Sequence, residues 1–315
     1  MRFGKYHGLG NDFLVVDLRS DDGPEAALVQ EPARAIALCD RQFGVGGDGV
    51  LAILPSAIAD VRMVVLNSDG SVAEMCGNGI RCVAKYLFDR DPSSLYGVSG
   101  PRPDGLGPLG SSKTSPREIR IETGAGILTC AVDGEPGRAE SISVRMGAPR
   151  LLRGEVPMTG PAGERCIEQP LEGAGAFTCV STGNPHAVTF VDSREVAYDR
   201  ARTLGPTLEH HAWFPRRTNV EFAHVKSRGE LDLVVWERGC GLTLACGTGA
   251  CATTVAAVLT GRADIGTPVR VNLPGGTLEI TVLPEFADVI MKGPALHVFD
   301  AEIDIAALAA RPTRQ

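Results

Sequence analysis

Short apolar runs alternate with glycine-bearing polar stretches along most of this chain, and the runs come in two lengths. VRMVVL from Val61 and LDLVVW from Leu231 are brief and valine-rich, and predict strands. IRCVAKYLF from Ile80 and ACATTVAAVL from Ala250 are longer. Small and apolar residues on most of their faces predict buried helices.

The pattern occurs twice. With Cys76 set against Cys246, VRMVVLNSDGSVAEMCGNG stays in register with LDLVVWERGCGLTLACGTG without a gap. Each copy runs strand, glycine-bearing loop (NSDGS or ERGCG), Cys-Gly-x-Gly turn, helix. Further on, IRIETGAGILTCAV from Ile119 matches VRVNLPGGTLEITV from Val269, and both read as strand, glycine turn, strand. More loosely, GNDFLVVD from Gly10 matches GNPHAVTFVD from Gly183, each placing Gly-Asn before a strand. The first copy carries a surplus, residues 91–116, rich in Pro, Gly and Ser and read as a solvated surface insertion. The expected fold is α/β, of the α+β type, in two pseudo-symmetric halves. Each is a mostly antiparallel or mixed strand layer around a central helix whose N-terminus carries a cysteine. The halves are expected at 1–145 plus 292–315 and at 146–291.

Composition narrows the function classes. The 315 residues are 43% hydrophobic and 22% charged, enough for two medium domains with cores of their own. A net charge of −7 with scattered arginines lacks the concentrated basic face that nucleic acid requires. MRFGKYHGLGNDF has no apolar leader, and no apolar run is long enough to cross a bilayer, so a soluble cytoplasmic protein is expected. Nine cysteines, an odd number without compact spacing, do not read as a secreted disulfide framework. Cys39, Cys130, Cys166 and Cys179 each stand alone and are expected to be buried thiols. Cys240, Cys246 and Cys251 lack a C-x-x-C pair or a nearby histidine, so no metal is expected. GVGGDG at 44–49 fits a dinucleotide fingerprint in letters only. A helical stretch precedes it and a strand follows, the reverse of the order that binds pyrophosphate.

The duplicated cysteines carry the chemistry. A helix N-terminus offers unpaired N–H groups and a positive dipole end, so a cysteine there is expected to have a lowered pKa. Glycines around Asn78 and Thr248 open the backbone amides to a ligand, forming a carboxylate cradle. Inverting a carbon centre needs one group to remove a proton and another to return one from the opposite side. A thiolate and a thiol supply that pair, without a cofactor. A thiol redox protein is the rival class, but it leaves the glycine cradles unused.

Over nearly its full length the chain resembles the diaminopimelate epimerase family. The resemblance rests on YHGLGNDF at 6–13, FGVGGDG at 43–49, NSDGS at 67–71, MCGNGIRC at 75–82, TGNPH at 182–186, ERGCG at 237–241 and ACGTGA at 245–250. It implies that family's fold, with each strand layer or barrel wrapped around its helix. It also implies interconversion of LL- and meso-diaminopimelate, a small-molecule substrate, with Cys76 and Cys246 as the acid–base groups and a homodimer as the assembly. Substrate-binding roles fall on Asn11, Asn67, Gly77, Asn78, Asn184, Asn219, Glu237, Arg238, Gly247 and Thr248. His186 and Glu237 flank the site and tune the thiols. His210, His211 and His224 read as surface or packing residues. Two positions depart from many relatives, Gly49 where they have Gln and Leu242 where they have Glu. Proline racemases share the two-thiol logic, but usually show His in the position of Asn78.

Overall fold

The computed structural model describes residues 1–20, 31–90, 116–135, 137–304 and 308. The insertion expected at 91–116 lies outside these residues except for Pro116. The chain divides into two compact units, Met1–Val144 with Pro294–Gln315, and Arg145–Gly293. Among the described residues no helix is long and apolar enough to cross a membrane.

The first unit opens with β1 (Arg2–Gly8), β2 (Asn11–Asp17) and α1 (Pro32–Cys39), followed by β3 (Gly49–Leu54), β4 (Val61–Asn67) and β5 (Val72–Ala73). After α2 (Gly77–Arg90) come β6 (Arg117–Thr123), β7 (Gly126–Glu135) and β8 (Arg138–Arg145), whose last residue begins the second unit. The second unit contains β9 (Gln169–Leu171), β10 (Gly175–Ser181), β11 (Pro185–Val191) and α3 (Arg194–Glu209). It continues through β12 (Asn219–Ser227), β13 (Glu230–Glu237), β14 (Gly241–Leu242) and α4 (Gly247–Leu259), and ends in β15 (Val269–Leu273), β16 (Gly276–Val282) and β17 (Val289–Gly293). A last strand, β18 (Leu296–Glu302), returns to the first unit.

The two units share one topology. In the first, β18, β1 and β2 pair antiparallel, β2 runs parallel to β3, β3 antiparallel to β4, β4 parallel to β6, and β6 antiparallel to β7. In the second, β9, β10 and β11 pair antiparallel, β11 runs parallel to β12, and β12 antiparallel to β13. There β13 runs parallel to β15, which pairs antiparallel with β16. The mixed sheets follow from the connections. Apart from β18 and β1, the antiparallel neighbours are joined by short connections, whereas α2 and α4 are the crossovers that the parallel pairs β4–β6 and β13–β15 require.

Each central helix is enclosed by its own strands: α2 packs on β1, β2, β3, β4, β7 and β18, and α4 on β10, β11, β12, β13, β15, β16 and β17. Such a helix must be apolar nearly all round. Ala250, Cys251, Ala252, Val255, Ala256 and Ala257 satisfy this in α4. In α2 Ile80, Cys82, Val83, Ala84 and Leu87 share the interior with two buried cations. Arg81 donates from Nε to Pro294 O at 3.2 Å, from Nη1 to Gly77 O at 3.0 Å and from Nη2 to Asn78 Oδ1 at 2.8 Å. Lys85 donates to Ala139 O at 3.1 Å and pairs with Asp89 at 2.7 Å. Burying these charges is tolerable because each one is hydrogen-bonded. On the outer side of the sheets, α1 covers a core of Leu14, Val16, Val50 and Leu66, and α3 one of Phe177, Phe222 and Val234.

Candidate active site

Both central helices begin in the same way. Gly79 N donates to Cys76 Sγ at 3.3 Å and Gly249 N donates to Cys246 Sγ at 3.3 Å, so each sulfur caps the first turn of the helix that follows it. The backbone repeats the arrangement, with Ile80 N on Cys76 O at 2.9 Å and Ala250 N on Cys246 O at 3.0 Å. Gly79 and Gly249 stand close to neighbouring side chains that any larger residue would have to displace. A Cβ on Gly79 would stand 2.9 Å from Leu51 Cδ2, and one on Gly249 would stand 3.1 Å from Glu221 Oε1 and 3.2 Å from Cys246 Sγ.

Around Cys76, which is half-buried, the first unit gathers asparagines and carboxylates. Asn11 Oδ1 lies 3.9 Å from Cys76 Sγ and accepts from Asn78 Nδ2 at 3.2 Å. Asn11 in turn donates to Asp48 Oδ2 at 2.7 Å, which also accepts from Asp12 N at 3.0 Å. Asp12 pairs with Lys5 and with Arg41, both at 2.5 Å. Burial pushes the Asp12 carboxyl up, but Arg41 and Lys5 outweigh it and hold it below the usual carboxylate range. Asn67 Nδ2 closes its own turn on Ser71 Oγ at 2.9 Å.

Around Cys246 the surroundings differ. This thiol is buried, with Thr248 Oγ1 at 3.4 Å. Its pKa lies well above the ordinary value, because burial comes first and the Glu237 and Glu221 carboxylates add to it. The Thr248 hydroxyl and the Gly249 amide pull the other way and lose. At this thiol the lowering expected of a helix N-terminus is outweighed: desolvation and two carboxylates exceed the pull of one hydroxyl and one amide.

His186 is fully buried, with Nδ1 2.6 Å from Glu221 Oε1 and Nε2 2.9 Å from Asn184 Oδ1. Asn219 braces two strand ends, donating to Pro185 O at 3.0 Å and accepting from Arg238 N at 2.9 Å. Glu237 Oε1 accepts from Thr243 Oγ1 at 2.5 Å, while the exposed Arg238 reaches Arg216 O at 3.3 Å.

The first unit thus brings together Asn11, Cys76, Gly77 and Asn78, and places Asn67 in a neighbouring turn. The second brings together Asn184, His186, Cys246, Gly247 and Thr248, with Asn219, Glu237 and Arg238 at the ends of adjacent strands. Sequence reasoning missed Asp48, Arg81 and Glu221. Glu221 had a signal, since NVEFAHV sets one acidic residue inside a run otherwise suited to a buried strand. Cys166 and Cys179 do not stand alone as the sequence suggests. They are neighbours, Cys179 N donating to Cys166 O at 2.9 Å, while Cys166 Sγ donates to Gln169 Oε1 and Phe177 O, each at 3.7 Å. Among the described residues no group of His, Cys, Asp or Glu is arranged to hold a metal ion.

A family model described as diaminopimelate epimerase matches residues 3–152 and 178–298. The chain is 46% identical over 310 residues to diaminopimelate epimerase 1 of a Nostoc species, covering 96% of this chain and 99% of that protein. It is 47% identical over 306 residues to the diaminopimelate epimerase of Pelotomaculum thermopropionicum, covering 96% and 98%. Among solved structures, a probable proline racemase from Agrobacterium radiobacter superimposes with a TM-score of 0.64 at 15% identity, covering 96% of this chain and 92% of that one. That likeness is one of fold.

Proposed function

The chain belongs to the diaminopimelate epimerase family, and is thereby an isomerase that acts on a small molecule; from that membership we propose that it interconverts LL- and meso-diaminopimelate, with Cys76 and Cys246 dividing the two proton transfers between them. The observation that carries the reading is the doubled thiol cap, the same 3.3 Å amide-to-sulfur bond at the head of each central helix. Inversion at an α-carbon breaks a C–H bond to one thiolate and forms a new one from the other thiol. After one turnover the two sulfurs have exchanged protonation states. The carbanion formed between these steps delocalises into the α-carboxylate, and the N–H groups of the first helical turns are suited to stabilise that charge.

Recognition of the second amino acid centre falls to neutral amides and one guanidinium, with Asn67, Asn184 and Asn219 as partners for ammonium and carboxylate and Arg238 as the planar donor. The same reading supports a cytoplasmic enzyme that assembles as a homodimer, for which exposed Leu296, Val298 and Phe299 on β18 offer an apolar face.

The test is turnover of LL-diaminopimelate in heavy water. Thiol protons exchange with solvent, so the meso product should carry deuterium at the inverted α-carbon and none at the distal centre. A carbonyl reagent and a metal chelator should leave the rate unchanged. Product that keeps its original hydrogen, or no turnover at all, would refute the two-thiol reading.

A further inference from the structure

Beside Cys76 runs a line of four side chains whose hydrogen bonds all point the same way. Arg81 Nη2 donates to Asn78 Oδ1 at 2.8 Å, Asn78 Nδ2 donates to Asn11 Oδ1 at 3.2 Å, and Asn11 Nδ2 donates to Asp48 Oδ2 at 2.7 Å. The chemistry of the two ends sets this direction: a guanidinium only donates, and a carboxylate only accepts. The ends of an amide are nearly alike in shape, so its partners decide which way its oxygen and nitrogen face. Reversing either asparagine here would set amino group against amino group, or oxygen against oxygen. The atom thus fixed, Asn11 Oδ1, is the one that lies 3.9 Å from Cys76 Sγ.

Both ends of the line are anchored. Arg81 is fully buried and also donates from Nε to Pro294 O and from Nη1 to Gly77 O. Asp48 accepts from Arg41 Nη2 at 2.8 Å on its other oxygen and from Asp12 N at 3.0 Å. Its backbone is tied on both sides, Asp48 N donating to Asp12 O at 2.8 Å and Ser68 N to Asp48 O at 3.1 Å. The middle is fitted closely as well. Gly8 stands opposite Asn11 in the β1–β2 pair, and a Cβ there would be 3.1 Å from Arg81 Nη2 and 3.2 Å from Asn78 Cβ. Along the repeat, the positions of Asn78 and Arg81 are taken by Thr248 and Cys251. The line therefore belongs to the first half and is no general property of these helix heads.

We propose that Asp48 and Arg81 are positioning residues for the reaction: from opposite ends they turn the amides of Asn11 and Asn78 so that an oxygen, and not an amino group, faces Cys76. The proposal rests on the reading of Cys76 as an acid–base group. An oxygen in that place accepts from the thiol and has nothing to donate to the thiolate, whose lone pairs stay available to take a proton. An amino group would bind the thiolate and blunt it as a base. A carboxylate at position 48 imposes this choice. Asparagine there could accept or donate, and would leave both orientations of Asn11 open.

The first arm of the test needs no substrate, so its failure is distinguishable from failure of the epimerase reading. The full-length protein, labelled with heavy nitrogen at asparagine, has six side-chain amides, each assigned by replacing one asparagine at a time. Their exchange with heavy water is followed by NMR. In the wild type, the Asn11 and Asn78 amides should exchange slowly. In Asp48→Asn, exchange at Asn11 should be about tenfold faster or more, whereas Asn272, which donates to Glu230 and Asp232 in the other unit, should be unchanged. The second arm is turnover of LL-diaminopimelate. Asp48→Asn should lower kcat roughly ten- to hundredfold, and adding it to Asn11→Ala should cost nothing further, because Asp48 acts through Asn11. Fast exchange at Asn11 or Asn78 in the wild type would overturn the proposal whether or not the variant folds. So would a folded Asp48→Asn with Asn11 still protected, or a loss of kcat that adds in full to that of Asn11→Ala. If the wild type turned over no diaminopimelate, the epimerase reading would fall, and exchange at Asn11 would still decide whether Asp48 orients it.

Discussion

A cysteine at the head of a helix stands between opposing effects. Unpaired amides and the dipole favour its thiolate, whereas burial and nearby carboxylates favour its thiol. At Cys246 the second pair wins. Glu237 and Glu221 both act on the thiol of a residue that is 5% exposed. Cys76→Ala and Cys246→Ala are each expected to lower turnover by about 10²–10⁴-fold or more, the usual worth of a general acid or base, with the fold retained by circular dichroism. Cys166→Ala should leave turnover within about twofold, because that residue belongs to the outer core under α3; a loss as large as at Cys246 would move the chemistry to the Cys166–Cys179 pair. Arg238→Lys should raise KM for diaminopimelate at least tenfold in steady-state kinetics while the melting temperature holds, since an ammonium cannot match a two-toothed carboxylate contact. Which residues matter was legible wherever a motif is local, as in the Cys-Gly-x-Gly turns. Glu221 was not legible, because its role depends on which residue faces Gly249, and that is fixed by strand register rather than by neighbours in sequence.

Among the elements, α2 and α4 were legible because a helix enclosed by strands must be apolar on most faces, and few other structures ask for that. The two-residue strands β5 and β14 are too short to carry a period. Nothing in the pattern announces α3 either: REVAYDRARTLGPTLE is largely polar and contains Gly205-Pro206, which reads as a turn. Tertiary contacts supply what the sequence does not show. Ser193 caps the helix by accepting from Val196 N at 3.3 Å, and Gly205 lets the Trp236 ring lie against the backbone, where a Cβ would stand 2.6 Å from Trp236 Cγ. Gly205→Ala is therefore expected to destabilise the protein by about 1–3 kcal/mol in urea unfolding, against a gain in any helix that was free to accept alanine. At the end of α3, Glu209 accepts from Trp236 Nε1 at 2.8 Å and from Gly239 N at 3.0 Å, tying the helix to the loop that carries Arg238. Burial pushes Glu209 up, but these bonds outweigh it and hold its pKa below the usual value. The sign follows from linkage: protons bind the unfolded chain more readily, so this stability is present above the unfolded pKa and is lost as pH falls through the folded one. Acid titration followed by tryptophan fluorescence should show this loss in the wild type and lack it in Glu209→Gln.

At the scale of the whole molecule, the two units repeat a topology but obtain their outermost strand differently. β9 precedes β10 directly in sequence, whereas β1 receives β18 from the far end of the chain, with Met1 N on Ile303 O at 2.7 Å and Ile303 N on Met1 O at 2.9 Å. Residues 292–315 were expected to return to the first half, although β18 has no local pattern of its own that distinguishes it from any other strand. Removing residues 294–315 should leave β10 protected against hydrogen exchange and strip protection from β1, whose edge would then face water; equal protection of both would mean that β18 contributes nothing to the first unit. The threading also orders events in time. A ribosome releases β1 before, and β18 after, everything from Arg145 to Gly293, which emerges in between and can condense as it appears. The unit begun first is therefore completed last. Throughout synthesis β1 has an open flank, and a nascent chain stalled after Gly293 would display that flank to chaperones and to other chains while its second unit was already closed.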